Sequence, residues 1–352
     1  MNMTYVMESE INSQPEILDS LVKTYIKNYC VMLDIPIDIK KISIVASGSS
    51  YNAGCFAKYF FENISGIETS VNYASEVANS DFSNFDKSTL YVFISQSGKS
   101  SDVVNSFNKI KQCGAKTLSI TNNSESILHN EADFPIDIKA GREYAIAATK
   151  TFSASVFMLW IIAVKIAQNK HIDISEEIKN IYMLKNDIEH SIKDIDNIDT
   201  ASKLLSSLSD FSVIGLGSYY PLAREASLKI KETCYINTCP YPMGEFVHGH
   251  FALLNKSKVF LTFITHDAKE NELALLDKIL KTYKTKSVVI SDLYEDYDCD
   301  ILVKFNKNNS KIATILSLII IVQIMAFKMA KRLKRNVDKP NGLNKVVTEK
   351  QV

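Results

Sequence analysis

Neither charge sign is in excess in this sequence: 40 Lys and Arg stand against 40 Asp and Glu over 352 residues. No overall field therefore draws the chain to nucleic acid or to an anionic membrane surface, whereas a phosphorylated small molecule needs only local charge. Cysteine is scarce and scattered. Cys30, Cys55, Cys113, Cys234, Cys239 and Cys299 form no C-x-x-C pair, which argues against a zinc ribbon and a disulfide framework and predicts buried free thiols. Long hydrophobic runs are also missing. The longest, Ile312 to Phe327, contains Thr314, Ser317 and Gln323 and falls short of the roughly 20 residues that a membrane span needs. It reads as a buried core helix, as does Phe152 to Ala167 with Trp160 and Lys165. The start, Met1-Asn2-Met3-Thr4-Tyr5, has no positive cluster and no apolar h-region, so the expected location is cytoplasmic. Complete nucleotide motifs do not occur. Gly215-Leu216-Gly217 lacks the third glycine of the dinucleotide fingerprint, with Tyr220 in its place, and there is no Walker pattern, so no cofactor is expected.

What the sequence does have is repetition. Its length suits two domains. Short β-branched runs at Ile42–Val45, Tyr91–Ile94, Leu118–Ile120 and Ile136–Ile138 alternate with helical patterns, which predicts a parallel sheet with helices on both faces. The same order returns at Val213–Ile214, Val259–Leu261, Val288–Ile290 and Ile301–Val303. Ser49 and Ser218, Ile94 and Ile264, and Ile120 and Ile290 correspond at an offset of about 170 residues. The expected fold is therefore α/β, two tandem units, each a doubly wound parallel sheet flanked by helices. Residues 1–34 read as an added amphipathic helical segment, 35–195 as the first unit and 196–352 as the second with a C-terminal tail. Ala53, Phe56, Ala57 and Phe60 form the apolar stripe of the helix after the first strand.

Open α/β sheets bind ligands at the carboxyl ends of their strands. In the first copy two such loops are crowded with hydroxyls: Ser47-Gly48-Ser49-Ser50, and Ser95-Gln96-Ser97-Gly98-Lys99-Ser100-Ser101 ahead of a helix near Asp102. Unpaired N–H groups at a helix start, with serine donors beside them, suit a phosphate monoester. A serine in that place can instead cap its own helix. Two such loops on neighbouring strands, with Gly98 permitting close backbone approach, favour anion binding.

The second copy supplies titratable groups. Glu225, Lys229 and Glu232 fall at i, i+4 and i+7 on one helical stripe, followed by Pro240, Pro242, Gly244, Glu245 and His248 in a stretch too broken to stay helical. A carboxylate and an imidazole suit proton transfers on a sugar. Taken alone, the stripe reads as a solvated face with an i,i+4 ion pair. His248 and His250 lack a third ligand at suitable spacing, so no metal site is expected.

These motifs resemble the tandem sugar-isomerase (SIS) family. The residues that carry the resemblance run in order along nearly the whole chain: Ala46-Ser47-Gly48-Ser49-Ser50-Tyr51; Ser95-Gln96-Ser97-Gly98; Ala140-Gly141-Arg142-Glu143 through Ala147-Ala148-Thr149-Lys150; Ser227-Leu228-Lys229-Ile230-Lys231-Glu232; Gly244-Glu245-Phe246-Val247-His248-Gly249; and Asp338-Lys339-Pro340 through Leu343-Asn344-Lys345. The sequence is similar to the isomerase half of glutamine:fructose-6-phosphate amidotransferase and, more so, to the freestanding glucosamine-6-phosphate deaminases. The resemblance implies that Ser49, Ser50, Ser95, Gln96, Ser97 and Ser100 form a sugar-phosphate cradle. It implies that Glu232 moves a proton between C1 and C2, that His248 opens the ring, that Lys229 supports this chemistry, and that Lys345 closes over the substrate. It also implies a homodimer, with His248 reaching the active site of the neighbouring subunit, and neither metal, cofactor, nucleic acid nor membrane as partner.

Three departures stand out. Ala148 replaces a family serine, Asn344 a small residue, and His250 a proline. No glutaminase domain precedes the isomerase unit and residue 2 is Asn, not a cysteine nucleophile, so glutamine-dependent synthesis is not expected. The expected activity is conversion of an amino-sugar 6-phosphate with loss of ammonia. A fructosamine-6-phosphate deglycase and a non-catalytic sugar-phosphate sensor are the alternatives. The cluster Lys328, Lys331, Arg332, Lys334 and Arg335 reads as a helix C-terminus complementing its dipole, not as a DNA-binding patch.

Overall fold

Each half of the chain folds around five parallel strands in a computed structural model that describes residues 5–36, 38–81, 83–246, 248–253, 259–283, 286–293 and 297–346. Asn2 and Val247, both used above, lie outside the described residues. The first sheet contains β1 (Lys41–Ala46), β2 (Glu68–Tyr73), β3 (Thr89–Ile94), β4 (Lys116–Thr121) and β5 (Phe134–Asp137). The second contains β6 (Asp210–Gly215), β7 (Asn237–Pro242), β8 (Val259–Ile264), β9 (Lys286–Ser291) and β10 (Ile301–Lys304). Their spatial orders are β2-β1-β3-β4-β5 and β7-β6-β8-β9-β10, which is one topology twice. All pairings within the two sheets are parallel.

The central strands explain why the pattern was visible. β3 and β8 are buried at all six positions, as a parallel strand covered by helices on both faces must be, and each is apolar at five of its six positions, Thr89 and Thr262 being the exceptions. β2 and β7 were not anticipated. Both are edge strands with mixed burial, and β7 carries Pro240 and Pro242, which an edge tolerates because one row of its N–H groups is not needed in the ladder.

The two apolar helices extend beyond the runs seen in the sequence, to Lys150–Asn169 and Lys311–Arg332. Both are long and apolar enough to cross a membrane, yet 89% of each apolar window is buried by the protein itself. Lys150–Asn169 packs on Gln14–Tyr25 and on Gly48–Ile64, whose Ala53, Phe56, Ala57 and Phe60 are buried as the stripe predicted. Lys311–Arg332 packs on Ile198–Ser206 and Tyr220–Cys234. Its basic end has defined partners: Lys328 and Arg332 pair with Asp199 at 3.0 and 3.6 Å. The cysteines depart from expectation. Only Cys234 is buried; Cys30 is exposed and the other four are half-buried.

The chain divides into two compact units, one of residues 12–185 with the tail from Asn344, the other of residues 186–343 with the N-terminal segment up to Ile11. The division falls ten residues before the expected 195/196 boundary because 186–195 is bonded to the second unit. Ser191 donates to the Asn306 carbonyl at 2.9 Å, and Asn309 donates to Asp187 at 2.7 Å. The expected N-terminal helical segment is likewise shared. Val6 and Met7 donate their N–H groups to Asp338, whereas Gln14–Tyr25 packs in the first unit.

Candidate active site

The first unit brings its two hydroxyl-rich loops together by register. Ala46 pairs with Ile94, so Ser47 and Ser95 leave adjacent strand ends side by side, where the strand order reverses between β1 and β3. Ser47 and Ser100 stand at the N-cap positions of Gly48–Ile64 and Ser101–Gln112, but neither side chain makes a capping bond. Ser126 and Ser310, in contrast, cap their helices in the ordinary way. Ser47 and Ser100 thus do not act as side-chain caps of their helices. The loop is folded on itself: the Gly98 N–H donates to the Ser95 hydroxyl at 3.2 Å, the Lys99 N–H to Ser97 at 3.2 Å, and the Ser95 and Ser100 hydroxyls lie 3.4 Å apart. Ser49, Ser50, Gln96, Ser97 and Ser100 are half-exposed, and Ser95 is buried.

Gly98 has a role other than close approach to a ligand. Its φ is +62°, and a Cβ there would lie 2.1 Å from the Ser126 hydroxyl. Gly98→Ala is expected to lose at least about 1–2 kcal/mol from the left-handed backbone alone. Displacing Ser126 would add to that and distort the loop. Denaturant unfolding together with a titration of sugar phosphate checks this: both stability and affinity should fall.

Beside the cradle, the 140s loop is tied to it through Asn122. The Asn122 N–H donates to the Gln96 carbonyl at 3.0 Å, while its side chain accepts from the Ala140 N–H at 2.9 Å and donates to the Gly141 carbonyl at 2.7 Å. The loop then buries Glu143 completely. Its carboxylate accepts from the Thr149 and Thr151 N–H groups at 3.0 and 3.1 Å and from the Thr151 hydroxyl at 2.7 Å, capping Lys150–Asn169. An anion at a helix start is favoured by the dipole. The Lys345 ammonium completes the set, donating to Glu143 and, at 2.7 Å, to the Ala145 carbonyl. Burial pushes the Glu143 carboxyl upward, but Lys345 and the threonine donors outweigh it and hold it below the usual range. Sequence reading gave Lys345 a role but none to Glu143.

In the second unit, Glu225, Lys229 and Glu232 do occupy one stripe of Tyr220–Cys234, but the stripe is not a solvated face. Lys229 has no exposed side-chain surface, Glu225 has 2% and Glu232 has 22%. The lysine sits between two carboxylates, 3.2 Å from Glu225 and 2.8 Å from Glu232. Burial pulls the Lys229 ammonium toward neutrality; Glu225 and Glu232 overcome this and hold it well above the usual lysine range. Glu232 is the member of the three that reaches solvent. His248 follows the short helix Met243–Phe246 and is exposed, with its N–H on the Glu245 carbonyl at 3.0 Å. Its ring has no hydrogen bond or ion pair among the described residues of its own chain. His250 lies against rings, with centroids 4.2 Å from Tyr241 and 5.9 Å from Phe246.

The loop after β8 differs in chemistry from its counterpart after β3. The offset places Thr265-His266-Asp267 where the first copy has Ser95-Gln96-Ser97. The Asp267 carboxylate is ringed by donors: the Tyr219 hydroxyl at 3.0 Å, the Lys311 ammonium at 2.9 Å, and the Thr265 hydroxyl. His266 turns away to Asp292, with 2.6 Å between its Nδ1 and a carboxylate oxygen. The strand ends of this copy are thus supplied with an anion of their own.

Two five-stranded parallel sheets of identical order, with hydroxyls at one set of strand ends, define a duplicated α/β protein of the doubly wound class. The chain belongs to the SIS domain family, whose profile matches residues 37–165 and 205–316. It is 30% identical to the glutamine–fructose-6-phosphate aminotransferase (isomerizing) of Campylobacter jejuni over 98% of its length and spans 58% of that relative. The C-terminal domain of glucosamine-fructose-6-phosphate aminotransferase from Francisella tularensis has a TM-score of 0.88 at 28% identity, covering 96% of this chain and 99% of that one. A glucosamine-6-phosphate deaminase from Thermotoga maritima shares the fold, with a TM-score of 0.78 at 23% identity over 97% of this chain and 99% of that one.

Proposed function

We propose that this chain is a phosphosugar isomerase that acts on an amino-sugar 6-phosphate and releases ammonia. The observation that carries the reading is the buried Glu225-Lys229-Glu232 triad, in which one carboxylate alone faces outward. A general base needs a carboxylate of fixed direction, and the Lys229 ammonium fixes it. In the proposed sequence the 6-phosphate is held by Ser49, Ser50, Ser95, Gln96, Ser97 and Ser100, and His248 assists opening of the pyranose ring. Glu232 takes the C2 proton of the open-chain aldehyde, leaving an enolamine with hydroxyl on C1 and amine on C2. Returning the proton to C1 gives the C2 imine, and water hydrolyses it to fructose 6-phosphate and ammonia. Lys345 closes over the substrate.

Incubation with glucosamine 6-phosphate, following ammonia and fructose 6-phosphate together, tests the reading. Equal release of both supports it. Release of a free amino acid from a fructoselysine-type 6-phosphate, with glucosamine 6-phosphate untouched, would replace it by the deglycase reading. Binding of either without turnover would replace it by a sensor.

The exposed His248, whose ring has no hydrogen bond or ion pair among the described residues, supports a homodimer in which each histidine serves the other subunit's Glu232. Mixed dimers of Glu232→Gln and His248→Ala chains then contain one intact site, made by Glu232 of one chain and His248 of the other. Co-refolding the two inactive variants should restore roughly a quarter of wild-type activity, from random pairing and one working site in each mixed dimer. No recovery would place both residues in one subunit.

A further inference from the structure

Glu143 and Lys345 are 202 residues apart in sequence and meet in the first unit. The carboxylate is completely buried, and the lysine side chain retains 24% of its exposure. The remaining acceptors of the carboxylate are occupied by Thr149 and Thr151, so its orientation is fixed before the lysine arrives. The same loop is clamped by Asn122, whose backbone N–H holds the carbonyl of Gln96 in the cradle. A rigid anion is thus built into a loop that is bonded to the proposed phosphate site, and the last lysine of the described chain is seated on it.

We propose that Glu143 is the anchor of the C-terminal tail: a positioning residue that seats the Lys345 ammonium beside the serine cradle and so sets where the tail closes. The assignment rests on the isomerase reading for its effect on turnover, but not for the docking itself. In the docked state the Lys345 ammonium is a bound cation, with protons directed to Glu143 and to the Ala145 carbonyl.

Glu143→Gln keeps the shape and can keep the threonine contacts while removing the charge that holds the lysine. Two measurements on the full chain separate the claims. In the absence of sugar, the rate at which an amine-directed acylating reagent labels Lys345, compared with the exposed Lys99, reports docking. The variant should label Lys345 nearly as fast as Lys99, whereas the wild type should protect it; equal protection in both would overturn the anchor. With sugar phosphate, the variant should lose about 10²-fold in kcat, the scale of a misplaced active-site group, with KM little changed. It should fall to the level of Lys345→Ala, and the double variant should be no worse than either single one. Faster labelling with unchanged kcat would overturn the positioning role. If the wild type turns over no sugar phosphate, the isomerase reading fails, and the labelling arm still decides the anchor. Should Glu143→Gln not fold, Lys345→Ala serves in its place. It leaves a buried carboxylate unpaired and should lower the melting temperature, and adding Glu143→Gln should raise it again. A further drop on adding Glu143→Gln would contradict the pairing.

Discussion

Glu232→Gln should bind the sugar phosphate as the wild type does and lose isomerisation by about 10²-fold or more, the scale of removing a general base. A glutamine can keep the contact to the Lys229 ammonium through its carbonyl oxygen, so the direction of the side chain and the packing of Tyr220–Cys234 should persist. What it loses is the capacity to take a proton from carbon. The side chain is partly exposed, so little stability is at stake. Steady-state kinetics should therefore show kcat falling with KM nearly constant, and calorimetry should show unaltered affinity. Turnover within a fewfold of wild type would remove Glu232 from the mechanism.

Lys229→Met should damage the fold more than any other single change considered. The lysine is wholly buried between two carboxylates, and removing it takes the Lys229 ammonium from Glu225, itself nearly inaccessible. Breaking a buried ion pair from one side costs about 3–5 kcal/mol, a large part of the 5–15 kcal/mol that holds a typical protein folded. A methionine has the length of the lysine stem, so the packing loss is small and the charge effect is isolated. Chemical denaturation should show the loss, and Glu225→Gln added to Lys229→Met should recover part of it by removing the buried charge that Lys229 balanced. The double variant should remain inactive, because Glu232 has lost the group that aims it. A Lys229→Met protein as stable as wild type would mean that the pair contributes nothing to the fold.

The interior of the fold was legible where burial is uniform. β3 and β8 are covered on both faces and announce themselves as apolar runs; β2 and β7 lie at edges, half exposed, and a polar strand such as Glu68–Tyr73 has no periodicity to betray it. The Glu225-Lys229-Glu232 spacing was equally plain, but spacing cannot tell a solvated stripe from a buried one. The cradle serines were legible as a cluster and ambiguous as to purpose, since a capping serine and an anion-binding serine occupy the same place. Ser126 makes a capping bond, and Ser47 and Ser100 do not. Glu143 gave no local signal because its defining partner lies at the far end of the sequence. Gly98 stands out in the sequence, and the close neighbour that the structure shows for it, the Ser126 hydroxyl, lies beyond the loop.

The central claim is that Glu232 moves a proton between adjacent carbons of a sugar phosphate, and isotope exchange tests it most directly. Glucosamine 6-phosphate incubated with the protein in deuterium oxide, followed by proton nuclear magnetic resonance, reports the carbon-bound hydrogens themselves, independently of how fast ammonia departs. The account predicts loss of the C2 proton signal or deuterium at C1 of the fructose 6-phosphate formed, catalysed by the wild type and suppressed about 10²-fold by Glu232→Gln. Bound sugar phosphate whose C1 and C2 hydrogens never exchange, or exchange equally fast with Glu232→Gln, would contradict it.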